Sequence, residues 1–244
     1  MYLTNNYFAN AIMKEITTAF QYVVRYNTIL NFSQVSRKLI SPFAAIASNI
    51  RIEKQNSADE IVHLLFQDDN VIIIVTWDKI VFRGQGDLSK YTVSNSMIET
   101  LFFSLLDKIS ALDSFSGIKN VVFAANSVRE YENSKDEISV NFAKNFLNEN
   151  INSIVKKPTD IAIIIEEFED DESYKIIFGP YFGSQELERR NLKPLYIAEL
   201  GDLEFIGLII EYSCQLDVKK VSFKNFVSMV EIQNQKIKQL WKSF

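Results

Sequence analysis

The chain has 244 residues, 47% of them apolar and 23% charged, with 19 Phe but only 7 Gly and 4 Pro. That balance belongs to a globular protein with one large core or two small ones, and it excludes collagen-like, repeat-linker and low-complexity classes. A net charge of −5, one His and one Cys exclude a global pull toward nucleic acid or anionic membranes, an intramolecular disulfide framework and a four-ligand Cys/His zinc site.

The first ten residues carry neither a basic region nor an apolar core of leader-peptide length. The longest strongly apolar stretches, residues 71–75 and 205–210, fall far short of the roughly 20 residues a membrane helix needs. A cytoplasmic protein is expected. Residues 10–15 read as a short helical lead-in. Residues 16–26 (ITTAFQYVVRY), rich in β-branched and aromatic side chains, read as a strand. Asn31 or Ser33 then caps a helix that carries Phe32, Val35, Leu39 and Phe43 at helical spacing and ends near Pro42.

Four strands are predicted next, at residues 50–54, 61–67, 71–77 and 79–83. Asp68-Asp69-Asn70 makes the turn between the second and third. The stripe Met97, Ile98, Leu101, Phe102, Leu105, Leu106, Ile109 and Leu112 predicts a helix with one broad apolar face. Ser96 and Glu99 have the spacing of a capping box at its start. Residues 121–128 read as a strand and 130–135 as loop, while 138–147 fits helix or strand.

Lys156-Lys157-Pro158 is the best linker candidate, because proline discourages helix at the residue before it. Strands are then predicted at residues 161–168, 174–178, 195–200 and 205–216, with a hairpin turn at 169–173. A long connection at 179–193 includes one or two helical turns. A final helix over 222–242 carries Phe223, Phe226, Val227, Val230, Ile237, Leu240 and Trp241 on one stripe. Two blocks therefore share one layout, strands followed by a long helix. The expected class is α+β, with antiparallel sheet or sheets packed against long amphipathic helices, possible as a tandem duplication. Residues 1–155 form an N-terminal half and 156–244 a β-rich C-terminal half, either as two domains or as one continuous body.

Chemistry is sparse. His63 stands alone on a strand. Cys214 shares strand parity with Ile210, Tyr212 and Leu216, as a small buried hydrophobe would. Gly84 and Gly86 in Arg83-Gly84-Gln85-Gly86-Asp87 lack the Lys-Ser/Thr of a phosphate loop and read as turn residues. No catalytic residue, metal ligand or cofactor is assigned.

Two segments stand out. Glu166, Glu167, Glu169, Asp170, Asp171 and Glu172 make six acids in seven residues, without the spaced ligands and glycine of a calcium loop. They fit a solvated hairpin tip that opposes edge association, or a partner-binding surface. Phe178-Gly179-Pro180-Tyr181-Phe182-Gly183 reads as a shaped aromatic loop that either packs over a sheet end or lines a groove. The candidate partner-binding residues are Glu169, Asp170, Asp171, Glu172, Tyr181 and Phe182.

The order of elements resembles a broad, sporadically distributed family of uncharacterised prokaryotic proteins of about this length. The likeness rests on strand 16–26 then helix 32–41, the strand pair within 71–83, helix 97–112, strand 121–128 and a final strand–helix pair. That family implies no established activity and no catalytic residues. The pairing of antiparallel strands with a long C-terminal helix also resembles the SecB-type export chaperones, which implies a tandem arrangement of four-stranded sheets. The expected function is non-catalytic binding of a protein or peptide, in a chaperone-like form or another, by a homo-oligomer with no membrane and no nucleic-acid partner. The rival expectation is a small-ligand protein or a metal-dependent Asp/Glu hydrolase.

Overall fold

Two long strands form the spine of the fold, a computed structural model that describes residues 12–147, 154, 161–169, 171–182, 206–218 and 220–242. β1 (Ile12–Tyr26) and β6 (Ile118–Tyr131) pair antiparallel, with register shifts between Ile12 and Lys14, Thr17 and Phe20, and Arg25 and Tyr26. Such irregularities add local twist and bend long strands. The expected helical lead-in is corrected: Ile12 onward is strand, because β6 runs on to Tyr131 and supplies it with partners.

Outward from β1 lie β5 (Lys79–Gly84), β4 (Val71–Val75), β3 (Ile61–Phe66) and β2 (Asn49–Glu53). Outward from β6 lie β9 (Ile206–Leu216), β8 (Glu172–Phe182) and β7 (Ile163–Glu169). The result is a nine-stranded sheet in the order β2-β3-β4-β5-β1-β6-β9-β8-β7, with every neighbouring pair antiparallel. The protein is α+β. Because β6 pairs with β9, strands from both sides of residue 155 share one sheet. The linker expected at 156–158 and the strand expected at 195–200 lie outside the described residues.

The α-helices among the described residues are α1 (Phe32–Ile40), α2 (Ser89–Thr92), α3 (Ser104–Ser110), α4 (Lys135–Phe146) and α5 (Phe223–Lys242). Alternate strand residues such as Tyr22, Ile73, Phe82, Phe123, Phe178 and Tyr212 join buried helix residues in one core, so the described helices cover one face of the sheet and leave the other free of described helices. The abundant Phe goes there. Tyr22 packs on Phe102 (ring centroids 5.6 Å apart) and on Phe226 (5.0 Å) near the spine. Phe178 packs on Phe142 (5.2 Å), Phe146 (5.4 Å) and Trp241 (5.5 Å) toward β7. Edge-to-face pairs of this kind suit the ring quadrupole.

The helix expected at 97–112 opens as a π-helical segment, Ile98–Phe103, before α3. The wider turn brings both Phe102 and Phe103 inward. The Ser96–Glu99 capping box does not form. Ser96 Oγ donates to the Tyr91 carbonyl (2.9 Å), and Glu99 accepts from the Asn95 N–H (2.6 Å), one residue earlier. A reciprocal box forms instead at Ser134 and Glu137 and starts α4, which resolves residues 138–146 as helix, with Leu147 its extended cap, and shortens the loop expected before it. Asn70 takes the left-handed conformation, φ 52°, that the Asp-Asp-Asn turn required. Gly84 is a strand residue, not a turn residue: a Cβ there would sit 2.7 Å from the Phe20 ring. Gly86, at φ 83°, is a turn glycine as expected.

Candidate functional site

The acidic segment forms the end of a hairpin. β7 and β8 pair from Ile163↔Phe178 to Glu169↔Glu172, leaving only residues 170 and 171 in the loop. Asp170 lies outside the described residues; Asp171 and Glu169 are exposed. β7 is also the outermost described strand on this side of the sheet.

Parity divides the acids between two faces. Ile163, Ile165, Glu167 and Glu169 share the helix-bearing face with Phe178 and Ile176, whereas Ile164, Glu166 and Phe168 stand on the helix-free face. On the helix-free face Lys175 Nζ lies 2.6 Å from Glu166 Oε1. On the helix-bearing face Lys236 of α5 sets its ammonium 3.0 Å from the centre of the Tyr174 ring, a cation–π contact that ties the hairpin to the terminal helix. Burial, followed by the charges of Glu167, Glu169 and Glu172, raises the Tyr174 pKa.

Apolar side chains are exposed on both faces of β7. Ile164 is 59% exposed, Ile165 45% and Phe168 77%. Beside them a shallow depression of about 240 Å³ crosses the helix-free face, lined among others by Val122, Phe168, Lys175 and Gln215. The sequence pattern predicts a strand over residues 161–168 but not its apolar exposure. The only sequence signal is position: an Ile-Ile-Ile run leading straight into the acidic turn.

The aromatic segment is not a loop. β8 continues through Phe182 because β9 supplies partners, Gly179↔Ile209, Pro180↔Leu208, Tyr181↔Gly207 and Phe182↔Ile206. These pairs lie beyond the first β7 partner, Ile163, so Pro180 interrupts no β7–β8 bond there. Tyr181 is 2% exposed and forms a small buried cluster with Val128 and Ile209. It is a packing residue rather than a contact residue.

The other chemical candidates are quiet. Cys214 is buried, with Sγ 3.5 Å from Glu172 Oε1. Burial and then the Glu172 carboxylate push its thiol up to about 12, far from a reactive thiolate. His63 has Nε2 3.4 Å from Glu53 Oε1, yet burial outweighs that carboxylate and, with Arg51 and Arg83, lowers the imidazole pKa, leaving the ring neutral at pH 7. Among the described residues, no three His, Cys, Asp or Glu side chains are placed to share a metal ion.

Glu60 was not anticipated at all. Its side chain is fully buried and accepts hydrogen bonds from Ser36 Oγ (2.6 Å), the Asn56 N–H (2.7 Å) and Arg37 Nη1 (3.0 Å). Desolvation raises its pKa, but those hydrogen bonds and the Arg37 charge outweigh it and hold the carboxyl below its ordinary value. Its partners come from α1 and from the β2–β3 connection, so it latches that hairpin to the helix layer.

No family model matches the chain, and no curated protein matches it either. Among the described residues no helix is long and apolar enough to cross a membrane.

Proposed function

We propose that this protein binds an extended segment of another polypeptide, which adds as a strand to the outer edge of β7. One observation carries the reading: β7 is the outermost described strand, and it exposes Ile164, Ile165 and Phe168 to solvent. A strand edge offers main-chain donors and acceptors in a row, and neighbouring apolar side chains add contact area, which is how strand addition gains affinity. Holding extended chains in a chaperone-like manner is one form of this activity, and it needs no catalytic group. The Cys214 thiol, buried and raised to about 12, is a poor nucleophile and plays no part in this reading.

Homodimerisation is part of the proposal only away from β7. Two β7 edges pairing antiparallel in full overlap would set Glu166 against the Glu166 of the copy, and like charges across a ladder are destabilising. We further read two units as copies of one another, with a division before β6 rather than at residue 155: one from β1 to α3, the other from β6 to α5. In each, a long first strand is followed by a helix, its last strand pairs beside the first (β1 with β5, β6 with β9), and a helix follows.

A second reading, small-ligand binding, has its own observation. A groove of about 440 Å³ between α1 and α3 has an apolar floor of Val35, Leu39 and Leu112 and a rim bearing Lys38 and Lys108. That volume is within the usual range for small-molecule sites. A peptide array probed with the labelled protein separates the two. Strand addition predicts capture of a subset of peptides, at least tenfold weakened by Phe168→Asp. Absence of any peptide capture, with a small molecule co-purifying and lost in Lys38→Glu, would favour the groove.

A further inference from the structure

Resting on the strand-addition reading, we infer that the segment accepted by β7 alternates apolar and basic side chains. An added strand places its successive side chains on opposite faces of the sheet, each beside the β7 residue directly across from it. The two faces of β7 differ. On the helix-free face Glu166 is already matched by Lys175 at 2.6 Å, and it is flanked by Ile164 and Phe168, 59% and 77% exposed. That row presents apolar surface, and a further cation there would face Lys175.

On the helix-bearing face Glu167 and Glu169 are exposed and make no ion pair with a described residue. Lys236, which approaches that side, has its ammonium over the Tyr174 ring. At its turn end that row presents negative charge, with Ile163 and Ile165 before it on the same face. Backbone geometry reinforces the division. A two-residue hairpin loop is closed by a hydrogen-bonded pair, here Glu169↔Glu172, so alternate residues turn their main-chain groups inward toward β8. Glu167 and Glu169 belong to that inward set. Across the outer edge they therefore meet the added strand at non-hydrogen-bonded positions, where facing side chains are closest. Ile164, Glu166 and Phe168 turn their N–H and C=O groups outward to bond it.

The partner then needs Lys or Arg opposite Glu167 and Glu169, and apolar residues opposite Ile164 and Phe168. Two opposite-charge cross-strand pairs amount to about tenfold in affinity at low salt, less as salt screens them.

Fluorescence anisotropy of the full chain with labelled nine-residue peptides tests this. The probes alternate Val with Lys, alternate Val with Glu, or carry the Val-Lys composition in two separate blocks. The alternating Val-Lys peptide is expected to bind about tenfold more tightly than either other probe. The double variant Glu167→Lys/Glu169→Lys is expected to reverse the preference toward Val-Glu. Equal binding of alternating and blocked Val-Lys peptides overturns the alternation, and equal binding of the Lys and Glu probes overturns the charge readout. Both results leave strand addition intact provided Ile164→Pro, which removes an outward N–H, abolishes binding in a folded protein. Should that variant misfold, N-methylation of alternate peptide residues removes the same hydrogen bonds from the ligand side. Binding that survives N-methylation overturns the edge itself and the proposal with it.

Discussion

The two outermost described strands of the sheet solve the same problem in different ways. β2 is short, and it turns Ile50 and Ile52 toward the core while Asn49 and Arg51 are exposed. Arg51 pairs with Glu53 at 2.9 Å, and the buried Glu60 anchors the following connection to α1. Charged side chains and short length blunt an edge against stray pairing. β7 has acids too, yet it leaves Ile164, Ile165 and Phe168 in solvent on both faces. In a full-overlap antiparallel pair of β7 strands Glu166 would face its own copy, whereas a chain of opposite charge meets no such repulsion. An outer strand that keeps apolar side chains in solvent is what the proposed strand addition requires.

The largest expected effect tests what holds the β7 side in place. Phe178 supports β7 from beneath, through Phe142, Phe146 and Trp241. Phe178→Ala should cost about 4 kcal/mol of unfolding free energy, the usual range for a buried Phe, as read by denaturant titration. A loss under about 1 kcal/mol would mean that this cluster does not anchor the edge.

The corresponding anchor of the β2 side is Glu60. Glu60→Ala should cost about 3 kcal/mol, because Ser36, Arg37 and the Asn56 N–H lose a shared charged acceptor. Arg37 is partly exposed, which keeps the loss toward the lower end for a broken buried pair. Linkage supplies a second readout. The folded carboxyl has a lower pKa than the unfolded one, so its contribution is present above about pH 4.3 and is lost as pH falls through the folded value. Wild-type stability should fall with pH below that point more steeply than that of Glu60→Gln. Parallel pH profiles would contradict the latch.

Much of the fold was legible because its signals were local. The alternation in β3, the apolar run of β4 and the Asp-Asp-Asn turn are each fixed by a few neighbouring residues. What failed depended on distant partners. Ile12–Glu15 and residues 179–182 became strand because β6 and β9 extend alongside them. Tyr181, a candidate partner-binding residue by its sequence, is buried against Val128 and Ile209, both distant in the chain. The acidic turn was found by composition, but the importance of Ile164 and Phe168 was not, since edge or interior position is a property of sheet order and leaves no mark in the strand itself. Glu60 is a similar case: nothing at position 60 announces that Ser36 and Arg37 will meet it.

Smaller effects sharpen the contrast. The Cys214 thiol, behind the hairpin, should react with a disulfide reagent at pH 8 about a hundredfold more slowly in the native protein than in the unfolded chain. Rapid native labelling would show that the hairpin opens away from α5. Glu167→Gln/Glu169→Gln should change stability by less than about 0.5 kcal/mol, since both side chains are at the surface. The same double variant should raise self-association in light scattering, whereas Arg51→Gln/Glu53→Gln at β2 should not. Equal behaviour of the two edges would erase the distinction between them.

Residue-resolved amide hydrogen exchange of the full chain, with and without the alternating Val-Lys peptide, tests the central claim most directly. Strand addition predicts that the peptide slows exchange at the outward-facing amides of Ile164, Glu166 and Phe168 while leaving β2 unchanged. Binding with no added protection at those three amides, or with protection at β2 or in the α1–α3 groove instead, would contradict it.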